Sequence, residues 1–400
     1  MRRGCAVVFA VAVAPLLLGG CQTLPESWTS WLPSSLPTPS LTWLGIGKDA
    51  KKPGPLPAYD RIAVATVKWR IALGAKGGAN FAPAVVSDVV YASAPDGTIV
   101  SVDEATGRQK WRIKAGRPLQ AGVGASLTTV AVGTEKGEVL AFDNNGKPLW
   151  QAKVSSEVAG PPKAAEGKIL VWSIDGKIFA FGETDGSQKW VYQRLNPPLT
   201  VRRFVGGTLT RGALFTGTAG GKLLALDAKT GTLGWEANVA TPKGATELER
   251  IADVTSLPVV DGKQVCAVAF QGRVACFELQ RGTLLWSRDF SSLAGLELDE
   301  EYLYLTDDKG SVQALDKTTG ASVWKQDKLA TRFPSGPARV GAYVGIVDGE
   351  GYLHLLDPRT GALVGRLATD GSAALSQPYG DGDAIIWQSA AGNLFSVGAR

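Results

Sequence analysis

Two features recur about every forty residues and leave this chain few folds to choose from. Each unit holds two short alternating runs joined by a glycine-bearing turn, as in VVYASAPDGTIVSVD or ILVWSIDGKIFAFG. The turn glycines are Gly97, Gly137, Gly176, Gly221, Gly272, Gly310, Gly351 and Gly392, spaced 38 to 51 residues apart. A second turn follows, and then a tryptophan: DEATGRQKW, DNNGKPLW, ETDGSQKW, DAKTGTLGW, ELQRGTLLW and DKTTGASVW deliver Trp111, Trp150, Trp190, Trp235, Trp286 and Trp324. Period-two alternation makes strands, and Asp-Gly between two such runs reads as a two-residue hairpin turn that needs positive φ. In the second turn an Asp or Thr side chain can bond the backbone while glycine takes the left-handed position.

Four short strands per forty-residue unit are the pattern of a blade, a small sheet that cannot bury its two faces alone and must stack with its neighbours in a ring. The expectation is an all-β, eight-bladed β-propeller of four-stranded antiparallel blades over residues 59–400. With 44% hydrophobic residues, 20% charged and 49 glycines, the composition suits such a turn-rich, ordered chain. Four residues beyond each turn glycine sit Ser101, Ala141, Ala180, Ala225, Cys276, Ala314, Leu355 and Ser396, small in all units but one. That slot is expected to receive a bulky neighbour. The exception, Leu355, belongs to the unit whose tryptophan position is Gly365, a size exchange that close packing predicts. The last unit stops at Arg400 without a tryptophan strand, while VATVKWRIAL near the start supplies an orphan strand with Trp69. Pairing the two closes the ring and removes exposed edges.

Residues 1–20 read as an export signal: Arg2 and Arg3, an apolar run from Ala6 to Leu18, then Gly19-Gly20-Cys21. The run is short for a membrane span. Leu18-Gly19-Gly20-Cys21 resembles the bacterial lipoprotein motif, which implies lipidation of Cys21. At roughly 0.8 kcal/mol per buried methylene, more than one acyl chain anchors a protein stably. Gln22 after the cysteine implies the outer membrane, by resemblance to the lipoprotein sorting rule. Residues 21–58 form a Pro/Ser-rich tether that carries Trp28, Trp31 and Trp43. Losing Arg2 and Arg3 takes the net charge from +5 to +3, too little to argue for nucleic acid. Cys266 and Cys276 would lie in a compartment that permits a disulfide, but a two-residue Gln271-Gly272 turn sets Cys266 opposite Phe277 and points the sulfurs to different faces. No disulfide is expected.

Catalytic signals are sparse. The single histidine, His354, falls inside the strand YLHLL and reads as a packed residue; the chain has no haem-attachment motif and no adjacent cysteine pair. No catalytic, metal or cofactor residue is assigned. The interval from each tryptophan position to the next turn glycine is 24 to 28 residues in six units, but 31 after Trp190 and 37 after Trp235. The extra residues, QRLNPPLTVRRF and ATPKGATELERIAD, precede the innermost strands of blades 4 and 5 and should emerge on one face. Long loops on a rigid scaffold are where binding usually resides. Leu199 and Val201 beside Arg202 and Arg203, and Glu247, Glu249, Arg250 and Asp253 in the second loop, combine apolar anchors with flanking charge.

Lipobox, Pro-rich spacer and LDxxTGxxxW units together resemble the BamB family, lipoproteins of the outer-membrane β-barrel assembly machinery, over the whole chain. The resemblance implies a non-catalytic scaffold on the periplasmic face of the outer membrane. It would contact the POTRA domains of BamA through an apolar-Arg loop and an acidic loop, and could assist nascent outer-membrane proteins. Leu199, Val201 and Arg202 match the first loop and Asp253 the first acid of the second, while Thr255 stands where the family can have another aspartate. The repeat also resembles that of quinoprotein dehydrogenases, which use pyrroloquinoline quinone with calcium; the alternative it implies is a periplasmic oxidoreductase.

Overall fold

A computed structural model describes residues 53–78, 80–201 and 206–400. The signal, Cys21 and most of the tether lie outside the described residues. Within them the chain forms eight four-stranded antiparallel sheets, each read here from an inner strand through a second and third to an outer one. Blade 1, for example, comprises Ala84–Val86, Val89–Ser93, Thr98–Asp103 and Gln109–Lys114. Blade 8 takes three strands from the C-terminus, Tyr379–Asp381, Ala384–Gln388 and Asn393–Ala399, and its outer strand, Ala65–Ala72, from the other end of the chain. Trp69 pairs with Ser396 and Ile71 with Leu394. The buried apolar residues form eight clusters, each spanning at least two adjacent blades. One of them joins Trp69, Ile386 and Leu394 of blade 8 to Val90 and Val100 of blade 1, so the ring is closed by packing as well as by pairing.

The tryptophans explain the repeat. Each stands directly across from the small slot of its own blade: Trp111 from Ser101, Trp150 from Ala141, Trp235 from Ala225, Trp286 from Cys276. The indole then reaches the second turn of the next blade. Seven indole N–H groups, from Trp69 to Trp324, donate to a turn carbonyl there over 2.6 to 3.3 Å. The rings lie on the turn glycines: a Cβ at Gly282 would come within 2.5 Å of Trp235 Cε3, and Gly282 has φ +68. Aspartates organise these turns, as Asp227 does by accepting the backbone N–H and hydroxyl of Thr230. A neutral hydrogen bond contributes about 1 kcal/mol net, whereas shielding an indole removes on the order of 150–250 Å² from water. At roughly 25 cal/mol per Å², burial therefore dominates the seal.

Blade 7 has no such tryptophan, and the reason is the path of the N-terminal segment. Asp60 N–H donates to Leu363 O (3.2 Å), and the N–H groups of Ile62 and Ala63 donate to Val364 O. A Cβ at Gly365 would lie 2.8 Å from Ala63 O, so this strap occupies the space a tryptophan would need. Leu355 fills the slot opposite Gly365, the exchange expected from the sequence. Upstream, Gly54 N–H donates to Thr331 O, and the guanidinium groups of Arg332 and Arg366 donate to the carbonyls of Gly54 and Pro57. Arg332 is only 1% exposed; it pairs with buried Asp348 at 2.7 Å and with Glu350 at 2.6 Å. His354 Nε2 donates to Asp348 at 2.8 Å while its Nδ1 accepts from Arg366 Nε, the pattern of a neutral ring. Burial, with the charges of Arg366 and Arg332, holds the His354 pKa below its usual value against the pull of Asp348.

Two expectations are corrected. The hairpins are not two-residue turns. Ala94 N–H donates to Thr98 O, leaving a three-residue loop in which Gly97, not Asp96, takes positive φ. The same count in blade 5, where Ala269 N–H donates to Arg273 O, shifts the register by one residue and sets Cys266 opposite Cys276. Both sulfurs then share a face, and the two cysteines form a disulfide with Cα atoms 4.1 Å apart. A one-residue slip in the assumed turn reversed the face.

Replacing Gly282 by Ala should destabilise the protein by about 2 kcal/mol or more, through a strained φ and a displaced indole, as read by urea unfolding. His354 titrates in the unfolded chain near 6.5 and lower in the fold, so its contribution to stability is complete above about 6.5 and is lost as pH falls from there through the lower folded value. The stability difference between wild type and His354→Gln should accordingly shrink as pH is lowered below about 6.5.

Candidate functional site

Connections from an outer strand to the next inner strand share a face of the ring with the hairpin turns. A Cβ at Gly137 would lie 2.4 Å from Ser156 O, and one at Gly221 lies 2.6 Å from Ala240 O and 2.8 Å from Ala252 O. The two long insertions are connections of this kind. One joins Gln188–Gln193 to Gly207–Thr210, the other Leu233–Asn238 to Val259–Val260, so they flank blade 4 on that face as expected.

The first insertion presents Leu195, 88% exposed, and Leu199, 42% exposed. Val201 is half-buried. Arg202 and Arg203 lie outside the described residues. In the second insertion Thr246 and Glu249 form a capping box: Glu249 N–H donates to Thr246 Oγ1, and Glu249 Oε2 accepts from the N–H groups of Ala245 and Thr246. These bonds hold the Glu249 pKa below its usual value. Arg250 bonds Gly244 O and Glu247, so both charged residues spend hydrogen bonds shaping their own loop. Leu248, next to Glu249, is 59% exposed.

Asp253 stands apart from the other sequence-selected residues. It is 3% exposed, with Oδ2 accepting from Val201 N–H at 2.6 Å and Oδ1 from Gly220 N–H at 2.9 Å. Burial raises its pKa and the two N–H groups oppose the rise. The carboxylate thus ties the first insertion to the second and to the hairpin of blade 4. Thr255, the other position singled out, is buried. Beneath these loops opens a cleft of about 970 Å³, including its mouth, whose lining includes Trp172, Tyr192, Arg194, Val201, Leu224 and Asp253. Leu195 and Leu248 were not selected from the sequence. The Thr246-Glu247-Leu248-Glu249 string carries the capping signature that would have found Leu248; Leu195 has no comparable signal.

Among the described residues no three of His, Cys, Asp or Glu converge to hold a metal ion. The disulfide joins cysteines ten residues apart on two paired strands rather than neighbours in sequence.

The family profile described as "Outer membrane protein assembly factor BamB" matches residues 61–118, 95–326 and 308–399. The chain belongs to the BamB family. A BamB relative from Nitrosomonas eutropha is 43% identical over 340 residues, covering 85% of this chain and 83% of the relative. The crystal structure of BamB from Moraxella catarrhalis superposes with a TM-score of 0.76 at 24% identity, over 84% of this chain and 100% of that one. Quinohemoprotein alcohol dehydrogenase from Comamonas testosteroni is similar in fold alone, with a TM-score of 0.66 at 14% identity over 84% of this chain and 76% of the other.

Proposed function

We propose that this chain is a non-catalytic scaffold lipoprotein of the outer-membrane β-barrel assembly complex. Acylated Cys21 holds it at the periplasmic face of the outer membrane, and the insertion face binds the POTRA domains of BamA. Membership of the BamB family supports the assembly role. One observation carries the choice of face: two insertions that flank blade 4 and are joined through Asp253 each expose a leucine, Leu199 in the first and Leu248 in the second. Interfaces are held by a few apolar or Arg anchors inside a polar rim. In this reading Leu199, Val201, Arg202 and Arg203 make the first contact patch, Glu249 and Arg250 frame the second, and Asp253 holds the two in register. The oxidoreductase alternative has the ring in its favour, which many unrelated functions share.

Combining Leu199→Ala with Arg202→Glu should remove two anchors at about 1–2 kcal/mol each, a loss on the order of thirtyfold or more in affinity. Affinity purification in mild detergent should then recover much less BamA than wild type does. Equal recovery would sink the assigned patch, and turnover on adding pyrroloquinoline quinone, calcium and an electron acceptor would sink the scaffold reading.

A further inference from the structure

Six of the eight hairpin turns are built alike. In blades 1, 2, 3, 6, 7 and 8 the turn glycine donates its N–H to the carbonyl three residues back, as Gly97 does to Ala94 and Gly310 to Asp307, and it is the turn's one residue at positive φ. Blades 4 and 5 depart. In blade 4 Gly220 joins Gly221 at positive φ, +82 and +78. In blade 5 the positive φ falls on Gln271, +48, although a glycine stands next to it. A long side chain in the left-handed region is strained, and the surroundings must hold it there.

Both departures occur where a hairpin meets the second insertion. Gly220 turns its N–H to Asp253 Oδ1 at 2.9 Å. Phe270 N–H donates to Asp253 O at 2.8 Å. The Gln271 amide meets the carbonyl oxygens of Leu248, Glu249 and Ile251 at 3.2, 3.2 and 3.1 Å; only a donor is satisfied among three acceptors, so its nitrogen faces them. Those carbonyls close the turn that the Thr246–Glu249 capping box opens. Moving the positive φ to Gly272, as in the six regular hairpins, would swing the amide away from them.

We propose that the hairpins of blades 4 and 5 clamp the second insertion between them, with Gln271 and Asp253 as positioning residues that hold Leu248 out as a fixed apolar anchor of the partner face. The clamp is a property of the ring; its role in binding rests on the POTRA reading above. Gln271 touches no partner in this scheme and acts through the loop it caps.

The test compares the full chain with its Gln271→Gly and Gln271→Glu variants. The glycine relieves the strained φ and deletes the donor, while the glutamate keeps shape and strain but cannot donate when ionised. Hydrogen exchange at residues 245–252 should quicken about tenfold in both. The Tm of Gln271→Gly should stay at or above wild type, which separates loss of the clamp from general unfolding. Isolated POTRA domains of BamA, titrated calorimetrically, should bind both variants about tenfold more weakly. Unchanged exchange in both variants overturns the clamp, and faster exchange with an unchanged Kd overturns its role in binding. Where wild type itself fails to bind the POTRA domains, the partner reading falls and the exchange rates alone decide the clamp, faster exchange supporting it and unchanged exchange overturning it.

Discussion

The structure depends on an indole lying on a glycine. Within a blade the tryptophan needs a small residue across the strand pair; between blades it needs a turn without a side chain and a carbonyl for its N–H. Each requirement falls on a different part of the forty-residue unit, which is why the unit repeats as a whole rather than strand by strand. A blade built this way has one face ready for a neighbour and nothing to do with it alone. Seven such faces, together with the N-terminal strap on the one blade that lacks an indole, are satisfied together in a closed ring, and the buried clusters show that every seam is filled.

Much of this was legible in the sequence because it rests on side-chain size and period. The blade count, the closure through Trp69 and the Leu355 for Gly365 exchange all follow from which residues are large or small at fixed spacing. What was misread rests on backbone conformation. A glycine turn such as Gln271-Gly272 is compatible with both a two-residue and a three-residue hairpin, and choosing the shorter one moved Cys266 to the wrong face and hid the disulfide. Position along the chain also failed to separate two kinds of acid in the second insertion. Glu249 lies at the surface and Asp253 is buried under two N–H groups, a difference made by the first insertion folding over it.

The insertions show how a repetitive scaffold acquires one particular face. Six hairpins keep the common turn, and the two beside the second insertion give it up to bond the loop. The cost in local strain is small beside the burial holding the blades together, so the ring tolerates it without losing closure. An extension carried this way inherits the rigidity of the blades on either side, which favours recognition of a folded partner over capture of a flexible one.

The strap on blade 7 has a mechanical side. Residues Pro53–Tyr59 are gripped by Arg332 and Arg366 before the chain turns back into the outer strand of blade 8. Tension arriving from upstream is met first by those guanidinium contacts and only afterwards by the strand that fastens the circle. The arrangement works as the strain relief of a cable does: a tug on the lead is taken up by the housing and spares the joint.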